Sequence, residues 1–301
     1  MFNERTDLAL ELHEINAEKG IDDGIIVDES KEGEILISKI EIINKNGEML
    51  AGKKEGVYVT IDVGEIWNRE SQYFRQCVDV ISSQIGSLIK AVHNNFLVVG
   101  LGNKKILCDA IGPNTVERLL ITRHIKTLNY ELYNSMAFSN VSSIIPGVLA
   151  DTGIESREII NAVVSMVEPD VVIVIDSLAS RNINRLATTI QISNVGISPG
   201  AGVNNRRQEL SFDTLGTPVI SIGVPTVVDA STLVYNVLGH DVVPNEKNEI
   251  IERYFSSKNN FFVSLKESDV IIEKMSILLA RSINCALQSN MTLEDLEDLS
   301  N

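Results

Sequence analysis

A chain of 301 residues, with 44% hydrophobic side chains and a formal charge of −15, can bury one large core or two ordinary ones. Its negative surplus argues against direct nucleic-acid binding, which needs basic patches to neutralise phosphates, but suits a soluble protein that attracts a basic polypeptide. No apolar run approaches the roughly 18–20 residues that span a bilayer, and the opening MFNERTDLALELHE mixes both charge signs without an apolar stretch, so neither an anchor nor a secretory signal is expected and the cytoplasm is the expected location.

The first thirty residues are polar, with Asp22-Asp23-Gly24 as a turn signal. Ile35–Ile43 and Val57–Ile61 read as strands. Lys45-Asn46-Gly47 and Gly52-Lys53-Lys54 read as turn material between them, giving a small antiparallel β unit over about residues 30–62. From Ser71 to Val92, Phe74, Cys77, Val78, Ile81, Ile85, Leu88, Ile89 and Val92 recur at helical spacing. Phe96–Gly100 reads as a buried strand. Gly112-Pro113 opens a helix, proline being suited to a first turn, and Glu155–Val167 predicts another. Val171–Ile175 is five β-branched residues in succession, the composition of a strand covered on both faces. A helix over about Leu178–Ala187 is expected next, then strands at Ile190–Ile192 and Val219–Ile222, a buried helix over Val270–Leu287 and an acidic tail from Thr292. The alternation predicts a three-layer α/β fold, a mainly parallel central sheet with helices on both faces plus the small antiparallel unit.

That class carries its chemistry in loops beyond the carboxyl ends of the strands. After the first such strand stand Gly100-Leu101-Gly102-Asn103 and then Asp109. Lys105 occupies the place of the third glycine of a dinucleotide fingerprint, so nucleotide binding is weakly supported. Asp109 precedes a helix and Asp176 follows Val171–Ile175. Each reads either as a helix N-cap or as a carboxylate at the functional rim. Two nearby carboxylates cannot easily both ionise, so one keeps a proton, and such a pair can divide acid and base work on a water attacking a peptide bond.

Other motifs are set aside on chemistry. Asp151-Thr152-Gly153 looks like the pepsin-type triplet but occurs once and precedes a helix, where Thr152 and Glu155 fit a capping box. Gly196-Ile197-Ser198-Pro199-Gly200 matches a nucleophile elbow, yet Pro199 lacks the N–H that an oxyanion hole needs. A turn or a backbone wall of the site is the favoured reading. His13, His93, His124 and His240 show no paired ligand spacing, so no metal or other cofactor is expected. Cys77, Cys108 and Cys285 are scattered without a CxxC and read as reduced thiols.

Several motifs in one order then carry a resemblance. Arg5-Thr6-Asp7-Leu8-Ala9, Val99–Asn103 with Asp109–Pro113, Ile145-Pro146-Gly147-Val148, Ile175–Arg181, Thr189–Ile192 and Gly196–Val203 resemble the germination protease family, from Arg5 to about Leu238. The resemblance implies an endopeptidase, made as a zymogen, that degrades small acid-soluble DNA-binding spore proteins in the spore core. It implies a fold akin to hydrogenase maturation endopeptidases and catalysis by aspartates matching Asp109 and Asp176, without a metal. Gly102, Asn103, Ser198 and Gly200 are the implied substrate-binding positions. Family substrates carry an acidic residue before the cut and a large apolar residue then alanine after it, a form that Asp7-Leu8-Ala9 shares. Self-cleavage between Asp7 and Leu8 is therefore implied, with residues 1–7 as propeptide, 8–301 as one catalytic domain, and a homotetrameric assembly. Three other readings stay open: a maturation endopeptidase that reads a bound metal, a nucleotide-binding α/β protein using Gly100-Leu101-Gly102, and an inactive binding protein of the same fold.

Overall fold

A computed structural model describes residues 5–17, 23–90, 93–198, 208–238 and 261–300, with isolated positions at 246, 249 and 254. Among the described residues one nine-stranded sheet runs through the molecule. Its strands are β1 (Ile25–Glu32), β2 (Ile35–Ile42), β3 (Gly56–Asp62), β4 (Asn95–Gly100), β5 (Asn140–Ile144), β6 (Val171–Ser180), β7 (Thr189–Ser193), β8 (Val219–Asp229) and β9 (Phe262–Val263). The spatial order is β1-β2-β3-β7-β8-β6-β4-β5, with β9 paired to the end of β8. β8, β6, β4 and β5 are parallel, whereas β1, β2, β3, β7 and β8 pair antiparallel. The antiparallel unit is therefore no separate module: β3 joins it to the parallel half through β7.

Side chains alternate across a strand, and this alternation builds three layers. Phe96, Val98, Val171, Ile173 and Ile175 share one core cluster with Cys77, Val78 and Ile81 of helix Ser71–Leu88 and Met275, Leu278 and Leu279 of helix Ser268–Leu287. Leu97, Val99, Val172 and Val174 pack instead on Ile160 and Val164 of helix Ser156–Val167. A smaller cluster of Ala9, Ile40, Ile42, Ala51 and Tyr58 lies under helices Ala9–Ala17 and Lys45–Ala51.

Several expectations are corrected. No helix covers 178–187. β6 continues to Ser180 because Ser177–Ser180 pair with β8, with a register shift between Leu178 and Ala179, and only a short 3-10 turn, Ile183–Arg185, follows. Lys45–Asn46–Gly47 is not turn material. Asn44 accepts the Gly47 N–H at 3.0 Å and starts a helix, which Gly52 ends in left-handed backbone. The polar opening folds as helix Ala9–Ala17 and, after a turn at Asp23-Gly24, as β1; Asp22 lies outside the described residues. The acidic tail is also a helix, Leu293–Ser300, where Thr292 and Asp295 exchange side-chain and backbone hydrogen bonds. Thr152 forms no capping box. It closes helix Leu149–Thr152, and Glu155 stands before the next helix without a side-chain cap.

Candidate active site

β4 ends at Gly100, and the next residue, Leu101, donates its N–H to the Ile175 carbonyl at 2.9 Å. Gly102 then turns the chain at a φ of 112°, a region that side chains other than hydrogen rarely enter. The loop closes on itself: the Asn103 N–H donates to the Asp109 carboxylate at 2.8 Å and to its carbonyl at 3.0 Å. The Asp109 side chain thus braces the loop that precedes helix Ile111–Val116. The cap position belongs to Ala110, with no side-chain bond, so the helix-cap reading of Asp109 is not what the fold uses. Thr226 of β8 donates to the Cys108 carbonyl at 2.6 Å and ties the loop to the sheet. Burial, then the negative charge of Asp109, push the Cys108 thiol up, which disfavours a thiolate nucleophile there.

Asp176 lies within β6, opposite Gly223 of β8, and is 4% exposed. One carboxylate oxygen accepts the N–H of Ser177 at 2.9 Å. No helix follows for it to cap. By the two-residue period it shares the face of Val172 and Val174, yet it lines a cleft of about 210 Å³ together with Asp7, Lys53, Tyr58, Gln191 and Ser198. β4 and β6 are parallel neighbours, so Asp109 follows the carboxyl end of one and Asp176 lies toward the carboxyl end of the other. The turn Leu107–Asp109 packs against β6 and β8.

Asp7 of the amino-terminal segment forms part of the wall of the same cleft. The Asp7 N–H donates to the Ala179 carbonyl at 2.9 Å, and the Ala179 N–H returns a bond to the Asp7 carboxylate at 2.8 Å. Leu8 is fully buried. Gln191 of β7 donates to the Asp7 carbonyl at 3.3 Å and accepts the Ala9 N–H at 2.7 Å. Beyond it, Arg5 pairs with the buried Asp229 at 2.9 Å. Glu11, fully buried, accepts from Ser180 at 2.8 Å and from the Arg181 N–H at 2.8 Å. Burial pushes Lys53 below the usual lysine range, and the charge of Asp7 opposes that shift.

Of the sequence-predicted positions, Asp7, Asp176 and Ser198 meet in one cleft. Gly102 and Asn103 belong to the loop that holds Asp109, while Gly200, Pro199 and His240 lie outside the described residues. Among the described residues no group of three His, Cys, Asp or Glu could hold a metal ion, and no helix is long and apolar enough to cross a membrane. Sequence reasoning missed Gln191 and Lys53. A lone polar residue between two isoleucines of a buried strand was the available signal for Gln191; Lys53 carried none.

A family model described as germination protease matches residues 4–242. The chain is 39% identical to a germination protease of Clostridium perfringens (strain 13), across all of both chains. It is 40% identical to one from Caldanaerobacter subterraneus subsp. tengcongensis, over 98% of this chain and 97% of that protein. With one from Priestia megaterium it shares 35%, over 98% and 96% respectively.

Proposed function

The chain belongs to the germination protease family, and from that premise we propose that it is an endopeptidase, made as a self-processing zymogen, that hydrolyses small acid-soluble DNA-binding proteins in the spore core. Residues 1–7 are the propeptide, and 8–301 form one catalytic unit that assembles as a homotetramer. Asp109 and Asp176 do the chemistry. They share one proton and position a water, and one carboxylate takes a proton from that water as its oxygen bonds to the scissile carbonyl carbon. The other carboxyl group protonates the leaving nitrogen as the carbon–nitrogen bond breaks. A coupled pair titrates as a unit, so the roles belong to the pair.

The observation that carries this reading is the place of Asp7 on the wall of the Asp176 cleft. Asp7 is held on Ala179 by one main-chain and one side-chain hydrogen bond, and the Gln191 amide bonds the main chain at Asp7 and Ala9. An acidic–leucine–alanine step whose aspartate stands on the wall of the cleft supports the reading of a zymogen bearing a pseudo-substrate.

The test uses Asp109→Asn and Asp176→Asn in the full chain. Each is expected to lower cleavage of a small acid-soluble spore protein by at least about a hundredfold while unfolding normally. Turnover near that of the wild type in either folded variant sinks the pair. Amino-terminal sequencing of incubated wild-type protein is expected to show a mature chain that begins at Leu8.

A further inference from the structure

Two residues outside the aspartate pair bear on the Asp7–Leu8 bond. From β7, the Gln191 amide spans it, donating to the carbonyl of Asp7 at 3.3 Å and accepting from the N–H of Ala9 at 2.7 Å. Only one orientation of an amide serves both partners, because its nitrogen donates and its oxygen accepts. On another wall, Gly52 turns the chain with a φ of 61°, and the Tyr58 hydroxyl pins the turn by donating to the Lys54 carbonyl at 2.9 Å. Two adjacent lysines then part. Lys54 pairs with Glu209 at 2.8 Å and with Asp213 at 3.3 Å, whereas Lys53 lines the cleft together with Asp7 and has Asp7 as the counter-charge. An ammonium partly shielded from water there gains more from a counter-charge than one in bulk solvent, and Asp7 is the charge that favours its protonated form.

We infer that Gln191 and Lys53 form the recognition subsite for the residue before the cut. Gln191 grips the main chain on both sides of the bond, and Lys53 supplies the positive charge that selects an acidic side chain. This deepens the peptidase reading and rests on it. A neutral side chain leaves the half-buried Lys53 ammonium without its counter-charge, so the selection works in part by penalising the wrong residue. The Gln191 donor sits on the carbonyl oxygen that gains negative charge as water adds, so its bond strengthens along the reaction. Once residues 1–7 depart, the same groups receive a substrate.

Four full-length chains test this: wild type, Asp7→Asn, Lys53→Met and the double variant. Release of residues 1–7 is followed by mass spectrometry. Thermal unfolding is measured on the same four in an Asp176→Asn background, which keeps them uncut. With Lys53 present, Asp7→Asn is expected to slow release about tenfold or more; in the Lys53→Met chain it changes release less than about twofold, and the shifts in Tm do not add. Equal slowing in both backgrounds, or additive shifts, overturns the role of Lys53. Gln191→Glu keeps the shape but loses the donor. It is expected to slow release about a hundredfold in chains that remain folded at the assay temperature, with some loss of Tm because a carboxylate then faces the Asp7 carbonyl, and release at the wild-type rate overturns the grip. If the wild-type chain itself never releases residues 1–7, the self-cleavage reading fails. The thermal cycle, together with hydrogen-exchange protection of the Ala9 amide (expected to fall in Gln191→Ala), then decides the subsite alone.

Discussion

Just before β6, the Asp170 carboxylate accepts the N–H groups of Asn94 and Asn95 at 2.8 and 2.9 Å. These bonds, the one from Asn94 foremost, hold it below its ordinary value. As pH falls, the unfolded chain therefore takes up this proton before the folded one does. The contribution is complete above the ordinary carboxylate range and disappears as pH falls through the folded value. Asp170→Asn should flatten the acid limb of stability against pH, which urea unfolding at a series of pH values reads directly. Other side chains were unequally legible. Asp176 stood out as an aspartate directly after five β-branched residues and Asp109 as one in the loop between Gly100 and a helix, and the fold removes the helix-cap alternative for both. Gln191 and Lys53 were silent because their meaning lies in what docks beside them, which no local pattern records.

Among the elements, the loop between β4 and helix Ile111–Val116 is the tightest. A Cβ on Gly102 would lie 2.1 Å from the Asp109 carbonyl oxygen, so no side chain fits without moving the loop. Gly102→Ala is expected to cost about 1–3 kcal/mol and to lower cleavage more than stability alone explains, because Asp109 moves with the loop. Comparing urea midpoints with turnover at saturating substrate separates the two effects. The long elements were readable from periodicity. Helix Ser71–Leu88 and helix Ser268–Leu287 follow their apolar stripes, and β6 announced itself by five β-branched residues. The end of β6 was misread because Leu178-Ala179-Ser180 is locally compatible with a helix. Its strand conformation is settled by the ladder to β8 and by Asp7 on Ala179, both distant in sequence. Helix Ala9–Ala17 was hidden for a related reason: its buried face includes a glutamate.

At the scale of the whole molecule, that glutamate joins the first helix to the sheet. Glu11 accepts from Ser180, Arg181 and Asn182 and pairs with Arg185 at 3.2 Å. Glu11→Ala removes the acceptor of the Arg181 N–H and of the Ser180 hydroxyl, while Arg185 keeps Glu14 at 2.6 Å, so a loss of about 1–3 kcal/mol is expected in urea unfolding. The fold class followed from alternating strands and helices. The antiparallel half of the sheet was only partly legible, since β1 is exposed over nearly its whole length and shows no alternation. That exposure has its own consequence. Among the described residues β1 is the outermost strand of its sheet, and an unpaired edge is a template on which another chain can add one more strand. Here the edge carries Asp28, Glu29, Lys31 and Glu32, whose charges would have to be brought face to face and dried. Pairing of two such edges is therefore disfavoured, and the sheet resists being extended from one copy into the next.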